Sequence, residues 1–278
     1  MKKIITVIAI IAIVSICALS MVACDITTTI GVQSGTTGYY YAKGDEDWGF
    51  DGFSNVTVSQ YSNGGLAVLD LINSNIDYVI IDEAPAKILE SKYDGIKVID
   101  IALTEEEYAF GVDPAQADLL TSVNETLATL MSNGTYDAII DTYFNDGTPM
   151  QIESAIYDAN NQDGQLVVAT NAAFDPFEYV DGTYYSGIDM ELAYYIAEAL
   201  ELELVIMNME FDSVVTSVGT NGIDIAMAGL TVTEKRKESV SFTDSYYNAS
   251  QMLIVLEDDT SFDDCVTAAD VEAIIAAL

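Results

Sequence analysis

Short apolar runs alternate along this chain with stretches whose apolar positions recur at helical spacing, the pattern of open α/β layers. The first half predicts strands over 29–33, 56–61, 78–82, 96–101 and 108–112. Between them it predicts a helix beginning in the Tyr-rich run after Gly38, then helices over 65–72 and 85–90. Two helices follow over 115–131 and 136–144, separated at Asn133-Gly134. Residues 145–164 are polar, carry Gly147, Pro149 and the run NNQDG, and read as a linker. A second α/β run then predicts strands over 166–170, 204–207, 223–228 and 252–256. Its helices cover 189–200, 213–218 and 268–278, the first with Met190, Ala193, Ile196, Ala197 and Leu200 on one stripe.

The first 24 residues stand apart from this pattern. Lys2 and Lys3 precede an apolar run over 4–22 that ends in Ala23-Cys24. A basic start, an apolar core and small residues before a cysteine fit a signal peptide whose cleavage leaves Cys24 first. The segment resembles a bacterial lipobox, which implies lipidation of Cys24. The length of the run also suits an uncleaved membrane anchor. Either way the rest of the chain is expected outside the cytoplasmic membrane and tethered to it.

Composition narrows the function. The 278 residues hold 45 Asp plus Glu against 9 Lys plus Arg, a formal charge of −36. Neutralising nucleic-acid phosphates takes clustered Lys and Arg, so nucleic acid is excluded as a partner. No histidine is present, which removes the commonest general base, the Ser-His triad and most zinc sites. Cys17 and Cys24 lie in the leader, and Cys265 alone follows it, so no disulfide framework is expected.

The one arginine, Arg236, sits in TVTEKRKESV with Thr233 as the expected N-cap. A cation in the first turn opposes the helix dipole, so helix stability does not explain it. A planar guanidinium suits a carboxylate gripped by two parallel N–H···O bonds; the plain alternative is a surface residue between Lys235 and Lys237.

Several long motifs agree in type and spacing with a known family. Residues 165–257, with LVVATNAAFDPFEYVDGTYYSGIDMELAYYIAEAL, MEFDSVV and GIDIAMAGLTVTEKRKESVSFTDSYYNASQMLIV, resemble lobe 1 of the bacterial amino-acid-binding proteins of ABC importers, the family 3 extracellular solute-binding proteins. Residues 29–144, with TIGVQSGTTGYYYA, GLAVLDLINSNIDYVIIDEAPAKIL, EEEYAFGV and LLTSVNETLATLMSNGTYDAIIDTYF, resemble lobe 2 and the terminal helices of the same family. The halves stand in reversed order. The resemblance therefore implies a two-lobed periplasmic-binding-protein-like α/β fold (type II) in circularly permuted form; a fragment of a tandem gene or a fusion is the alternative. The implied division is a leader (1–24), lobe 2 (25–107), a hinge strand (108–112), helices packing on lobe 1 (113–144), the linker (145–164), lobe 1 (165–250), a second hinge strand (251–257) and a lobe-2 helix (258–278).

The resemblance also implies roles. Arg236 matches the arginine that holds the ligand α-carboxylate. Gly229, Thr231 and Asp82 match the ammonium site; for Asp82 the plain reading is a helix N-cap. Gly35, Thr36 and Thr37 match a turn whose backbone N–H groups meet the carboxylate from lobe 2, and a Thr-capped turn is the ordinary reading. Phe174 and Phe211 match aromatic walls, whereas Phe177 is assigned to the core. Asn171 and Gln33 match positions that touch the ligand side chain, and the neutral Asn171 tilts the ligand toward a neutral polar amino acid. The expectation is a monomeric, non-enzymatic protein without cofactor or metal that delivers an amino acid to importer membrane subunits. Two alternatives stay open: a cleft enzyme (dehydratase or lyase) using Glu178 or Asp189 as acid or base, and an amino-acid sensor unconnected with transport.

Overall fold

The computed structural model describes residues 28–145 and 147–278; the expected leader and Cys24 lie outside the described residues. Two five-stranded mixed sheets organise the chain, and their central strands are buried on both faces, as sheets covered by helices require. The lobe-2 sheet has the order β2 (Val56–Tyr61), β1 (Thr28–Gln33), β3 (Tyr78–Asp82), β15 (Gln251–Leu256), β4 (Ile96–Ile99). β1 runs parallel to β2 and β3, while β15 enters antiparallel between β3 and β4. The lobe-1 sheet has the order β11 (Glu203–Asn208), β7 (Gln165–Thr170), β12 (Ile225–Ala226), β6 (Gly111–Val112), β13 (Ser241–Phe242). There β6 is the reversed strand, antiparallel to both β12 and β13.

Each sheet thus takes one reversed strand from the far part of the chain. The two crossings meet as an antiparallel pair, β5 (Glu106–Tyr108) with β14 (Tyr247–Ala249). This differs from the expected single strand over 108–112. Glu106–Tyr108 pairs with the other crossing and Gly111–Val112 joins the lobe-1 sheet. Likewise 251–256 is an interior strand of lobe 2, and the crossing is made by the residues just before it. The expected strand over 223–228 shrinks to Ile225–Ala226; the Met227 N–H adds one more bond to the Ala169 carbonyl at 2.9 Å before the buried chain turns away.

Helix faces close each layer. Helix Ile188–Ala199 buries Met190, Ala193, Ile196 and Ala197, four of the five residues of the predicted stripe; the fifth, Leu200, is its half-buried C-cap. Helices Ala117–Ser132 and Thr135–Phe144 pack with it on lobe 1, and Ala268–Ala277 packs on lobe 2 with Val271 and Ile275 inward. The polar stretch 147–164 is tied along lobe 1: the Met150 N–H donates to Glu191 at 3.0 Å, and Ala155 pairs with Leu204 at 2.8 Å. No helix among the described residues is long and apolar enough to cross a membrane.

Candidate functional site

The strand ends of both sheets meet at the seam between the lobes, the usual ligand position in open α/β folds. Gln33, Thr36, Thr37 and Asp82 from lobe 2 face Phe174, Phe211, Gly229, Thr231 and Arg236 from lobe 1 around one small space. Nine of the eleven residues singled out for ligand contact therefore converge. The space measures about 10 Å³, on the order of a single water. Admitting anything larger requires the lobes to separate or these side chains to move.

Arg236 reaches the seam from the short helix Glu234–Lys237, whose N-cap Thr233 accepts from the Arg236 N–H at 3.1 Å. Nη1 donates to the Thr231 carbonyl at 2.9 Å, and Nη2 to the Gly35 carbonyl of the opposite lobe at 3.4 Å. The guanidinium is buried, and among the described residues no carboxylate oxygen lies within 4.0 Å of it. Its cation is satisfied only by carbonyls and rings: the Trp48 and Phe211 centroids lie 5.1 and 5.4 Å from its carbon. Burial pulls its pKa down to about 10, opposed by the charges of Glu106 and Asp82. It stays charged at neutral pH, with N–H groups to spare for an anion.

Asp82 stands at the N-cap position of helix Glu83–Lys92, yet its side chain makes no cap bond. Its carboxylate instead accepts from the Tyr108 hydroxyl. Burial, and then the nearby Glu106 charge, push this carboxyl up to about 7, while bonds from Tyr108 and Gln251 oppose the rise.

Glu106 was not singled out from the sequence, where it sits in a run of three glutamates that reads as solvated. Strand alternation in β5 buries Glu106 and Tyr108 and exposes Glu107. Glu106 accepts from Thr104 at 2.6 Å, Gln251 at 3.0 Å and Thr231 at 2.5 Å. Thr231 in turn accepts from Thr37 of lobe 2 at 3.1 Å. This relay orients the Thr231 hydroxyl at the floor of the seam.

Gly229 adopts φ +51°, and its N–H donates to Asp189 at 2.9 Å. A Cβ there would stand 2.9 Å from the Phe174 ring, so glycine is required on both counts. Asp189 and Glu178 are wholly buried behind this turn, and neither lines the seam. Asp189 accepts from Tyr246 at 2.6 Å and is pushed up to about 7 by burial; burial also raises Glu178 far above its usual range, with Asp189 adding to it. Asp189 braces the Gly229 turn from inside, and the placement of the two does not suit an acid or base acting in the cleft.

The turn over residues 34–37 has the ordinary form expected of it, a Thr-capped helix start. Thr36 caps helix Thr37–Lys43, accepting from the Tyr39 N–H at 3.3 Å, and Gly35 has φ +73°. Gly35 lies outside the small space and contributes its carbonyl to Arg236. Asn171 also stands just outside, where its Oδ1 accepts from Gln33 Nε2 across the seam at 2.9 Å. Gln33 Oε1 is buried without a partner among the described residues. Phe177 is fully buried in the core as expected.

Comparison with known proteins adds a family match. Residues 166–277 match the bacterial extracellular solute-binding proteins, family 3. The arginine-binding extracellular protein ArtP of Bacillus subtilis (strain 168) is 35% identical over 94 residues, 34% of this chain and 37% of ArtP. A protein of Neisseria gonorrhoeae, named a probable histidine-binding protein, is 34% identical over 89 residues, 32% of this chain and 33% of its own length. The chain thus spans about a third of the length of these curated relatives. Among solved structures, holo ArgBP from T. maritima is 41% identical over 33% of this chain and 41% of that one, with a TM-score of 0.30.

Proposed function

We propose that this chain, whose residues 166–277 match the family 3 bacterial extracellular solute-binding proteins, captures one free amino acid between its lobes for delivery to an ABC importer. The carrying observation is the buried Arg236, a cation without a carboxylate partner among the described residues, facing the buried Asp82 of the other lobe. A zwitterion supplies what each lacks. Its α-carboxylate meets Arg236 and the Ser34–Thr37 turn. Its α-ammonium meets Asp82, Thr231 and Gly229. Phe174 and Phe211 enclose the aliphatic part. Neither lobe alone serves both charges, so ligand favours the closed state by differential contact.

The ligand side chain is polar in this reading. Gln33 Oε1, buried without a donor, and the neighbouring Asn171 favour a side chain that donates hydrogen bonds. The relatives named for arginine and histidine agree with that chemistry, although Asn171 itself brings no charge. Those relatives are named as binding proteins, which favours capture over the enzyme alternative. The permuted order belongs to the same proposal. The family match runs from β7, the first strand after the linker, into the final helix, while the lobe-2 strands β1 to β4 precede it. Lipid anchoring through Cys24, a position outside the membrane and a monomeric state complete it.

The test is mass spectrometry of small molecules released from the purified, denatured protein, followed by calorimetry with each common L-amino acid. One amino acid released in near-stoichiometric amount and rebinding at micromolar concentration is the expected result. Release of none, with no heat from any of the set, overturns the proposal.

A further inference from the structure

The loop 44–53 carries the only tryptophan of the chain, and it is rigidly built. Asp45 and Phe50 pair through two backbone bonds of 2.8 and 3.1 Å, closing the loop around the single turn Glu46–Trp48. Asp45 caps that turn by accepting from the Asp47 N–H at 2.9 Å. The Trp48 indole stacks on Tyr40, with centroids 4.0 Å apart and planes 13° from parallel. Tyr40 belongs to helix Thr37–Lys43, the helix that begins in the candidate site. The loop therefore holds the indole on a short, stiff path from the lobe-2 side of the seam.

What the indole meets lies in the other lobe. Its centroid is 5.1 Å from the Arg236 guanidinium carbon, within cation–π range. Asp47 Oδ2 comes to 3.8 Å from Lys235 Nζ. Trp48 lines a second cavity of about 200 Å³, and is absent from the small space shared by Arg236 and Asp82. Arg236 borders both. The ring thus approaches the guanidinium from outside the seam. A ring uses the face of the cation and a carboxylate uses its N–H edge, so the two do not compete.

We propose that Trp48 is a latch of the closed state: a lobe-2 indole that settles on the lobe-1 guanidinium and couples carboxylate capture at Arg236 to lobe closure. The inference rests on the amino-acid reading above. Opening the lobes strips the indole from Arg236, so the contact belongs to the closed state alone. It slows release more than it speeds entry.

The full chain is titrated with an equimolar mixture of the common L-amino acids. Calorimetry follows binding and tryptophan emission follows the latch. Saturation is expected to shift the emission of the single indole. In Trp48→Ala, bound radiolabelled amino acid is expected to leave about tenfold faster, with its association rate little changed; Trp48→Phe, with a weaker ring, falls between. Heat with unmoved emission in the wild type, or an unchanged release rate in Trp48→Ala, overturns the latch and leaves amino-acid capture standing. The emission arm requires no variant, so a poorly folding Trp48→Ala does not suspend the test. Absence of heat from the wild type instead removes the capture reading on which the latch depends.

Discussion

Replacing Arg236 by methionine separates a binding cation from a structural one. The guanidinium donates to the Thr231 carbonyl at 2.9 Å and to the Gly35 carbonyl of the other lobe at 3.4 Å. A neutral-acceptor bond of this kind contributes about 1–3 kcal/mol. Against it stands burial, severe enough to pull the guanidinium pKa down to about 10. Exchange of a buried charge for an apolar side chain of similar volume is often neutral or stabilising. Arg236→Met should therefore leave the unliganded melting temperature within a few degrees of wild type, or raise it. Ligand binding should respond very differently. Removing one partner of a buried ion pair costs about 3–5 kcal/mol, or roughly a hundred- to several-thousandfold in affinity. A micromolar site would weaken to between about 0.1 mM and several millimolar.

Calorimetry and thermal shift together measure both sides. At a hundred times the dissociation constant, ligand stabilises the wild type by about 2.7 kcal/mol, and this increment should vanish in the variant at the same concentration. If Arg236→Met bound its amino acid within threefold of wild type, the carboxylate role would be lost. If the variant simply unfolded, the guanidinium would be structural cement, and the comparison of burial with bonding would be wrong.

Asp82→Asn keeps an acceptor for Tyr108 but removes the charge, so affinity should fall at least a hundredfold by calorimetry while unliganded stability holds or rises. In wild type, affinity should weaken by up to tenfold per pH unit as pH falls below about 7, where the Asp82 carboxyl takes up its proton; Asp82→Asn should flatten that profile. Unliganded stability should run the opposite way, because the folded-state pKa values of Asp82 and Asp189 are raised above their unfolded values. The folded state then binds more protons between about pH 4 and 7, so stability falls as pH rises through that window; chemical denaturation of wild type against Asp189→Asn at two pH values checks the sign. Gly229→Ala should lose affinity and roughly 1–3 kcal/mol of stability, since its φ is +51° and the new Cβ would meet the Phe174 ring at 2.9 Å.

Much of the fold was legible because burial and pairing coincide in most strands. Val56–Tyr61 and Tyr78–Asp82 have the predicted bounds. The predictions depart where a strand changes partner. Residues 108–112 form one apolar run, yet Tyr108 pairs across the hinge and Gly111 within lobe 1; hydrophobicity records burial and carries no mark of the partner. The segment after Ala226 is buried for another reason, since it must present the Gly229 turn over Asp189.

The same distinction explains which site residues were readable. Arg236 stood out because one arginine among so many acids has no bulk explanation. Glu106 was hidden by that acidity: in a chain of −36, one glutamate among three resembles solubilising charge. Only the two-residue alternation with Tyr108 would have turned it inward. Trp48 was passed over because its acidic, glycine-rich loop offers no periodicity.

The permuted order proposed above does not forbid such a site, because the seam is made by strand ends rather than by sequence neighbours. Asp82 closes β3, and Gln251 pairs with it from the far end of the chain. Gln251 and Thr231 both bond Glu106, which lies on the first crossing. The bond network at the seam thus spans both lobes and a hinge strand, its members placed by strand ends and by the turns that leave them. Any connectivity that preserves the two sheets and the β5–β14 pair preserves the network. Opening the lobes breaks its cross-seam links, Thr37 to Thr231 and Gln33 to Asn171, while Glu106 retains Thr104 and Gln251. In the proposed open state the floor thus keeps its Glu106 bonds to Thr104 and Gln251, ready for a ligand.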